Sequence, residues 1–195
     1  MILMPIIGLL LIFGSTSLVD PVYPPLALSG GTVVAELHLA GGKVEAINIL
    51  SGGEPFVGSC KSALAQWNLP SERDGDVMVV VHFRHQNLYN YANSEEQIDC
   101  RKPNKSLPYP KRITAPTYPA QVLAQGSVVL KADISAEGGV SDVSVLKSLG
   151  SLTDLGSDAV RKWVFVPAED RQGNAKPSSI YAVLVFRFPV IAPER

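Results

Sequence analysis

The sequence is short of cysteine, of histidine and of net charge. Two cysteines, Cys60 and Cys100, in 195 residues exclude a disulfide-dense scaffold and a four-cysteine zinc site. Lys and Arg number 17 against 18 Asp and Glu, a formal net charge of -1. Nothing in that balance draws the chain to nucleic acid, and no nucleic-acid partner is expected. The three histidines, His38, His82 and His85, all lie in the first half. No Gly-x-Gly-x-x-Gly or phosphate-cradling loop occurs, and Gly52-Gly53 and Gly138-Gly139 read as turns. What is plentiful is apolar side chain, 46% of the residues, enough for a packed core. Gly at 16 and Pro at 15 promise short elements and many turns.

Charge is missing altogether from Met1 to Val19. Ile6 to Phe13 is continuously apolar apart from Gly8, small residues Gly14 to Ser17 follow, and Asp20-Pro21 ends the run. Residues 1–19 read as a secretory signal peptide cleaved near Ser15 to Ser17. The segment also approaches the ~20 residues of a membrane-spanning helix, so an uncleaved inner-membrane anchor is the second reading. A buried core element is the third. Either of the first two places the rest of the chain in the periplasm or outside the cell.

The remainder repeats itself. Tyr23-Pro24 returns as Tyr118-Pro119, and Gly31-Thr32-Val33-Val34 as Gly126-Ser127-Val128-Val129. After a one-residue gap, Gly42-x-Val44-x-x-Ile47-x-Ile49-Leu50 matches Gly138-x-Val140-x-x-Val143-x-Val145-Leu146. The same offset carries Phe56, Ala63, Leu64 and Trp67 onto Leu152, Ala159, Val160 and Trp163. Val79 to Arg84 then echoes Ala182 to Arg187. A colinear series of this length predicts two related domains, 22–86 and 115–190, joined by a Pro-rich basic linker at 87–114.

Each repeat predicts the same elements. Val33, Ala35, Leu37 and Leu39 alternate with more polar neighbours, as do Val128, Leu130, Ala132 and Ile134, the pattern of a half-buried strand. Gly-Gly turns lead into a second strand, making a hairpin. Leu152, Leu155, Ala159, Val160 and Trp163 follow helical spacing, as do Phe56, Cys60, Ala63, Leu64 and Trp67. Pro70 and Pro167 lie beyond these helices. A last strand closes each repeat, Asp76 to Gln86 and Ser179 to Phe188. The expected fold is therefore α+β, two tandem small domains, each a three-stranded antiparallel sheet with one or two helices. The last strands are anomalous: Ile180, Ala182, Leu184 and Phe186 are apolar on one face, and Tyr181, Val183 and Val185 on the other. Such a strand needs cover on both faces, or a partner at its edge.

The second repeat resembles the C-terminal domain of the TonB energy-transducer family. The resemblance rests on Tyr118-Pro119, Gly126-x-Val128-x-Leu130, Gly139-Val140-x-x-Val143-x-Val145 and the element Trp163-x-Phe165-x-Pro167-Ala168 after a helix. The first repeat is a more degenerate copy, with Trp67-Asn68-Leu69-Pro70 shortened. Members of the family sit in the inner membrane, cross the periplasm and engage outer-membrane transporters. They do so by pairing an extended transporter segment against their last strand. The resemblance thus implies a non-catalytic protein that supports transmembrane transport by strand addition. The implied docking edge is Ser179, Ile180, Tyr181, Ala182, Val183, Leu184, Val185 and Phe186. Tyr118, Pro119, Gly126, Trp163, Phe165 and Pro167 form the implied structural motif.

Two departures shape that expectation. Only Asp20 to Val22 separates the apolar segment from the first repeat, where the family has a Pro-rich spacer. The linker instead holds Pro103, Pro108, Pro110 and Pro116 with Arg101, Lys102, Lys105, Lys111 and Arg112. Extended, it would reach on the order of 100 Å and hold the second repeat away from an anchored first. The apolar segment carries no charged or histidine position for a motor contact, so direct energy transduction is not expected.

Catalytic, cofactor and metal residues are not assigned. His82 and His85, three apart on a strand, face opposite sides and do not chelate one metal together. The histidines read as exposed strand positions, Cys60 as a buried thiol and Cys100 as a linker residue, with a Cys60–Cys100 disulfide open. The competing function is a periplasmic structural protein whose sheets self-associate, as a homodimer, with no transporter role.

Overall fold

The computed structural model describes residues 16–27, 29–69, 74–86, 94–101 and 103–188. Most of the expected leader or anchor, residues 1–15, and the helix-stopping Pro70 lie outside the described residues. No helix among the described residues is long and apolar enough to cross a membrane.

Alternation and glycine turns build the first half as expected. Strands β1 (Gly31–Ala40) and β2 (Lys43–Ser51) form an antiparallel hairpin. Helix α1 (Phe56–Leu64) buries Phe56, Cys60, Ala63 and Leu64, and β3 (Gly75–His85) pairs antiparallel with β1. The linker contributes β4 (Glu95–Gln97) and β5 (Tyr109–Thr114). The second half holds β6 (Gly126–Ile134), β7 (Val140–Lys147), α2 (Leu152–Val160) and β8 (Val164–Val166). A two-residue pair, β9 (Ala168–Glu169) and β10 (Ala175–Lys176), precedes β11 (Ser178–Arg187).

The fold is α+β, but the sheets are not separate. The six long strands form one mixed sheet in the order β2-β1-β3-β11-β6-β7. The two last strands, β3 and β11, meet at its centre in a parallel ladder running from Ile180 opposite Met78 to Arg187 opposite His85. This corrects the expectation of two three-stranded sheets, and the reason is the anomaly of the last strands. Val79, Val80, Val81, Ala182, Val183 and Leu184 are all completely buried. Each valine or leucine side chain so removed from water stabilises the fold by about 1.5–3 kcal/mol, and a free edge would forfeit much of that.

Because β3 and β11 are parallel, the two halves are turned over relative to one another. Leu152, Val160 and Trp163 pack on the face of Val128, Leu130, Ile180, Ala182 and Leu184. Phe56, Cys60, Leu64 and Trp67 pack on the opposite face with Val33, Leu37, Val79, Val81 and Phe83. Each half therefore leaves the bare face of its last strand to be covered by something else. On the face of Val34, Met78 and Val80 the cover includes Leu107 and Ile113 of the linker. On the face of Val129, Tyr181, Val183 and Val185 it includes Tyr23, Leu18 and Val19 before the first strand.

The linker is thus part of the core, which corrects its reading as an extended tether. Ile113 is fully buried and Leu107 nearly so. Strand β5 pairs with β8 on one side and β4 on the other, and Arg112 donates to Glu95 at 2.8 Å. Its prolines and cations suggested solvation, but the apolar residues between them decide its place.

Candidate partner-binding site

Ser179 to Phe186 is where a partner strand was expected to add. The structure gives this strand no free side. On one side every residue from Ser178 to Phe186 faces β6, and on the other Ile180 to Arg187 faces β3. Tyr181, Val183 and Val185, expected to line a docking surface, are buried, and the Trp67 ring stands edge-on to Tyr181 with centroids 6.0 Å apart. The first half itself occupies the edge. Separating the two strands would expose the completely buried Met78 and Val80.

The motif residues hold this arrangement together. Tyr118, Trp163 and Phe165 are buried, and Tyr118 meets Phe186 edge-on at 5.2 Å. The Trp163 indole N–H donates to the Thr114 carbonyl at 2.9 Å, and the Trp67 indole donates to Val19 at 2.8 Å. The Tyr118 hydroxyl donates to the Ala124 carbonyl, and the Tyr23 hydroxyl to Ser29. Burial pushes the Tyr118 hydroxyl up to about 12. Gly138 and Gly42 are both at positive φ, 85° and 77°. A Cβ there would lie 2.2 Å from the Phe165 carbonyl oxygen and 2.1 Å from that of Leu69. Those close approaches accompany matching hydrogen bonds, Phe165 N–H to Gly138 at 2.8 Å and Leu69 N–H to Gly42 at 2.7 Å. Pro167 packs beside Gly138, and Gly126 opens β6 at φ 140°.

The ends of the central strands lock across the halves. The Gln86 amide nitrogen faces the carbonyls of Pro119, Ala120 and Val122 at 2.8–3.1 Å. Arg187 donates to the Pro24 carbonyl at 2.8 Å and lies over the Tyr23 ring. Each half thereby grips the Tyr-Pro turn of the other.

The histidines divide by position. His38 is exposed and pairs with Asp76 at 2.7 Å, a hydrogen bond that raises its pKa. His82 is buried, which corrects its reading as an exposed position. Its Nδ1 lies 3.0 Å from the Thr32 hydroxyl, which donates to Glu96 at 2.6 Å. Desolvation, with the Arg84 charge behind it, pulls His82 down to about 3. Both cysteines are free. Burial pushes the Cys60 thiol up to about 12 and the Cys100 thiol up to about 11, so neither offers a thiolate at neutral pH. Among the described residues no three His, Cys, Asp or Glu are grouped to hold a metal ion.

In the six-stranded sheet the strands left with an outer side are β2 and β7. On β7, Val145 and Leu146 are about half exposed, at 48% and 45%. No curated protein and no solved structure matches the chain. The matching contacts around Tyr118, Gly138 and Trp163 lie within the span where a family does: residues 114–188 match the family model of the Gram-negative bacterial TonB protein C-terminal, and the second half of the chain is similar to that family.

Proposed function

We propose that the chain is a non-catalytic protein of TonB type, working in the periplasm. It holds an extended segment of an outer-membrane transporter by strand addition and so supports transport across the cell envelope. The observation that carries the reading is the family match over 114–188, which spans β6 to β11 without a break. The matching contacts that Tyr23 and Tyr118, Trp67 and Trp163, and Gly42 and Gly138 each make in their own half support reading the chain as two tandem copies of that module. One copy then serves the other as a permanent neighbour for its last strand, and strand addition falls to an outer edge. Strand addition suits such an edge because its unpaired backbone groups supply the hydrogen bonds and its flanking side chains the selectivity.

The test is titration calorimetry of the purified chain with synthetic peptides copying the extended periplasmic ends of outer-membrane transporters from the same cell. Saturable binding by some peptides and not by their scrambled versions is the expected result. No binding by any of them, with the chain folded, overturns the reading. Sedimentation on the same samples separates the self-associating alternative, which requires a stable dimer.

A further inference from the structure

The two Tyr-Pro corners match in their hydroxyl hydrogen bonds but not in their charge. Three residues before Tyr118 stands Ala115, and three before Tyr23 stands Asp20. Ala115 is buried, whereas the Asp20 side chain is 35% exposed. Beside Asp20 lies a cavity of about 410 Å³, between residues 20–23 and the ends of β6 and β11. Cavities that hold small ligands run from about 300 to 1,000 Å³. Its walls include the apolar Val22, Val185 and Phe186 and one charge of each sign, Asp20 and Arg187.

Neither charge is fully used. Asp20 accepts from Lys147 through Oδ2, an ion pair that ties residues 20–23 to β7, while Oδ1 has no donor among the described residues. Arg187 spends Nη1 on the carbonyls of Pro24 and Pro25 and lies 5.4 Å from the centre of the Tyr23 ring. Among the described residues no carboxylate pairs with Arg187, and its Nε and Nη2 make no hydrogen bond. A guanidinium carries five donors in a fork that fits a carboxylate. Lys147 and Arg187 stand on strands two apart in the order β11-β6-β7, a spacing of about 10 Å.

We propose that this cavity binds a zwitterionic peptide of two or three residues. The peptide's carboxylate pairs with the free side of the Arg187 fork, its ammonium donates to the Asp20 carboxylate, and its side chains lie on Val22, Val185 and Phe186. The length follows from the spacing. A free amino acid holds both charges on one carbon, whereas two or three extended residues span about 7–11 Å. An internal segment of a protein brings neither terminal charge, so this ligand differs from the transporter segment proposed above, and the site stands whether or not that reading holds.

The experiment titrates the purified chain with the dipeptide Leu-Leu, with N-acetyl-Leu-Leu, with Leu-Leu amide and with leucine, by calorimetry. Leu-Leu is expected to bind saturably, one per chain, and the other three at least tenfold more weakly. Backbone amide shifts on adding Leu-Leu should centre on residues 20–23, 125–126 and 185–187. Asp20→Asn should weaken Leu-Leu at least tenfold and leave N-acetyl-Leu-Leu, which brings no ammonium, unchanged; damage to the fold would weaken both, and thermal unfolding checks for it. No binding of Leu-Leu by the folded chain, or shifts centred elsewhere, overturns the proposal. Equal binding of Leu-Leu and N-acetyl-Leu-Leu overturns it in favour of a site for the carboxylate end of a longer chain.

Discussion

The two halves of the sheet solve one packing problem with unequal means. Each has a hairpin, a helix and a last strand apolar on both faces, and each last strand is the other's neighbour. In the first half the linker covers Leu50, while the second leaves Val145 and Leu146 outside. Residues that recur in both halves with the same contacts, the Tyr-Pro turns, Gly42 and Gly138 and the two tryptophans, are therefore the frame. The cover over Leu50 and Leu146 is where the halves differ.

The comparison can be broken most sharply at the centre. Val183→Asp would put an unpaired carboxylate where no water reaches, at a cost of several kcal/mol, comparable with the whole stability of a small domain. The chain should not fold, as circular dichroism would show, and a folded variant would mean that β11 has a free side. Next comes Leu50→Asp, which buries a charge beneath the linker and should lower stability by about 3–5 kcal/mol in denaturant unfolding. Gly138→Val and Gly42→Val should each cost about 2–4 kcal/mol, because both combine positive φ with a backbone clash. Equal losses support a shared frame, and a loss confined to one half would argue against it.

A smaller effect tests a difference between the halves, the polar pair Thr32 and His82. The folded chain holds His82 neutral down to about pH 3, whereas the unfolded chain protonates it near 6.5. Its contribution is whole above pH 6.5 and is lost as pH falls toward 3. By pH 5 the loss is about 2 kcal/mol, at about 1.4 kcal/mol per pH unit. His82→Val, which copies the residue at the matching place in β11, should flatten that part of the pH–stability curve. An unchanged slope would mean that His82 is not the group responsible. Smallest of all is Leu146→Asp, expected to shift stability by no more than about 0.5 kcal/mol. Its contrast with Leu50→Asp measures what the linker covers.

Much of this frame was legible in the residues. The alternation in Val33 to Leu39 and Val128 to Ile134, the Gly-Gly turns and the helical stripes ending at Trp67 and Trp163 gave the elements. The pairing of Leu50 with Leu146 was also visible. The two-faced last strands announced that a cover was needed, but alternation cannot say which partner supplies it. The parallel β3–β11 ladder joins residues about a hundred positions apart, and no local pattern encodes it. The linker was misread because its prolines and cations outweighed Leu107 and Ile113, two apolar residues whose burial depends on the sheet above them. His82 was misread for the same reason: on an isolated sheet its position would be wet.

Strands β3 and β11 are neighbours in the interior of one sheet. Amide hydrogen exchange, read residue by residue over Ile180 to Phe186, tests it most directly. An interior strand donates alternately to both neighbours, so every amide in the run should exchange slowly, at rates set by global unfolding. An edge strand leaves every second amide to water. Slow exchange at all seven positions is the result the joined sheet predicts; slow and fast amides in alternation would contradict it.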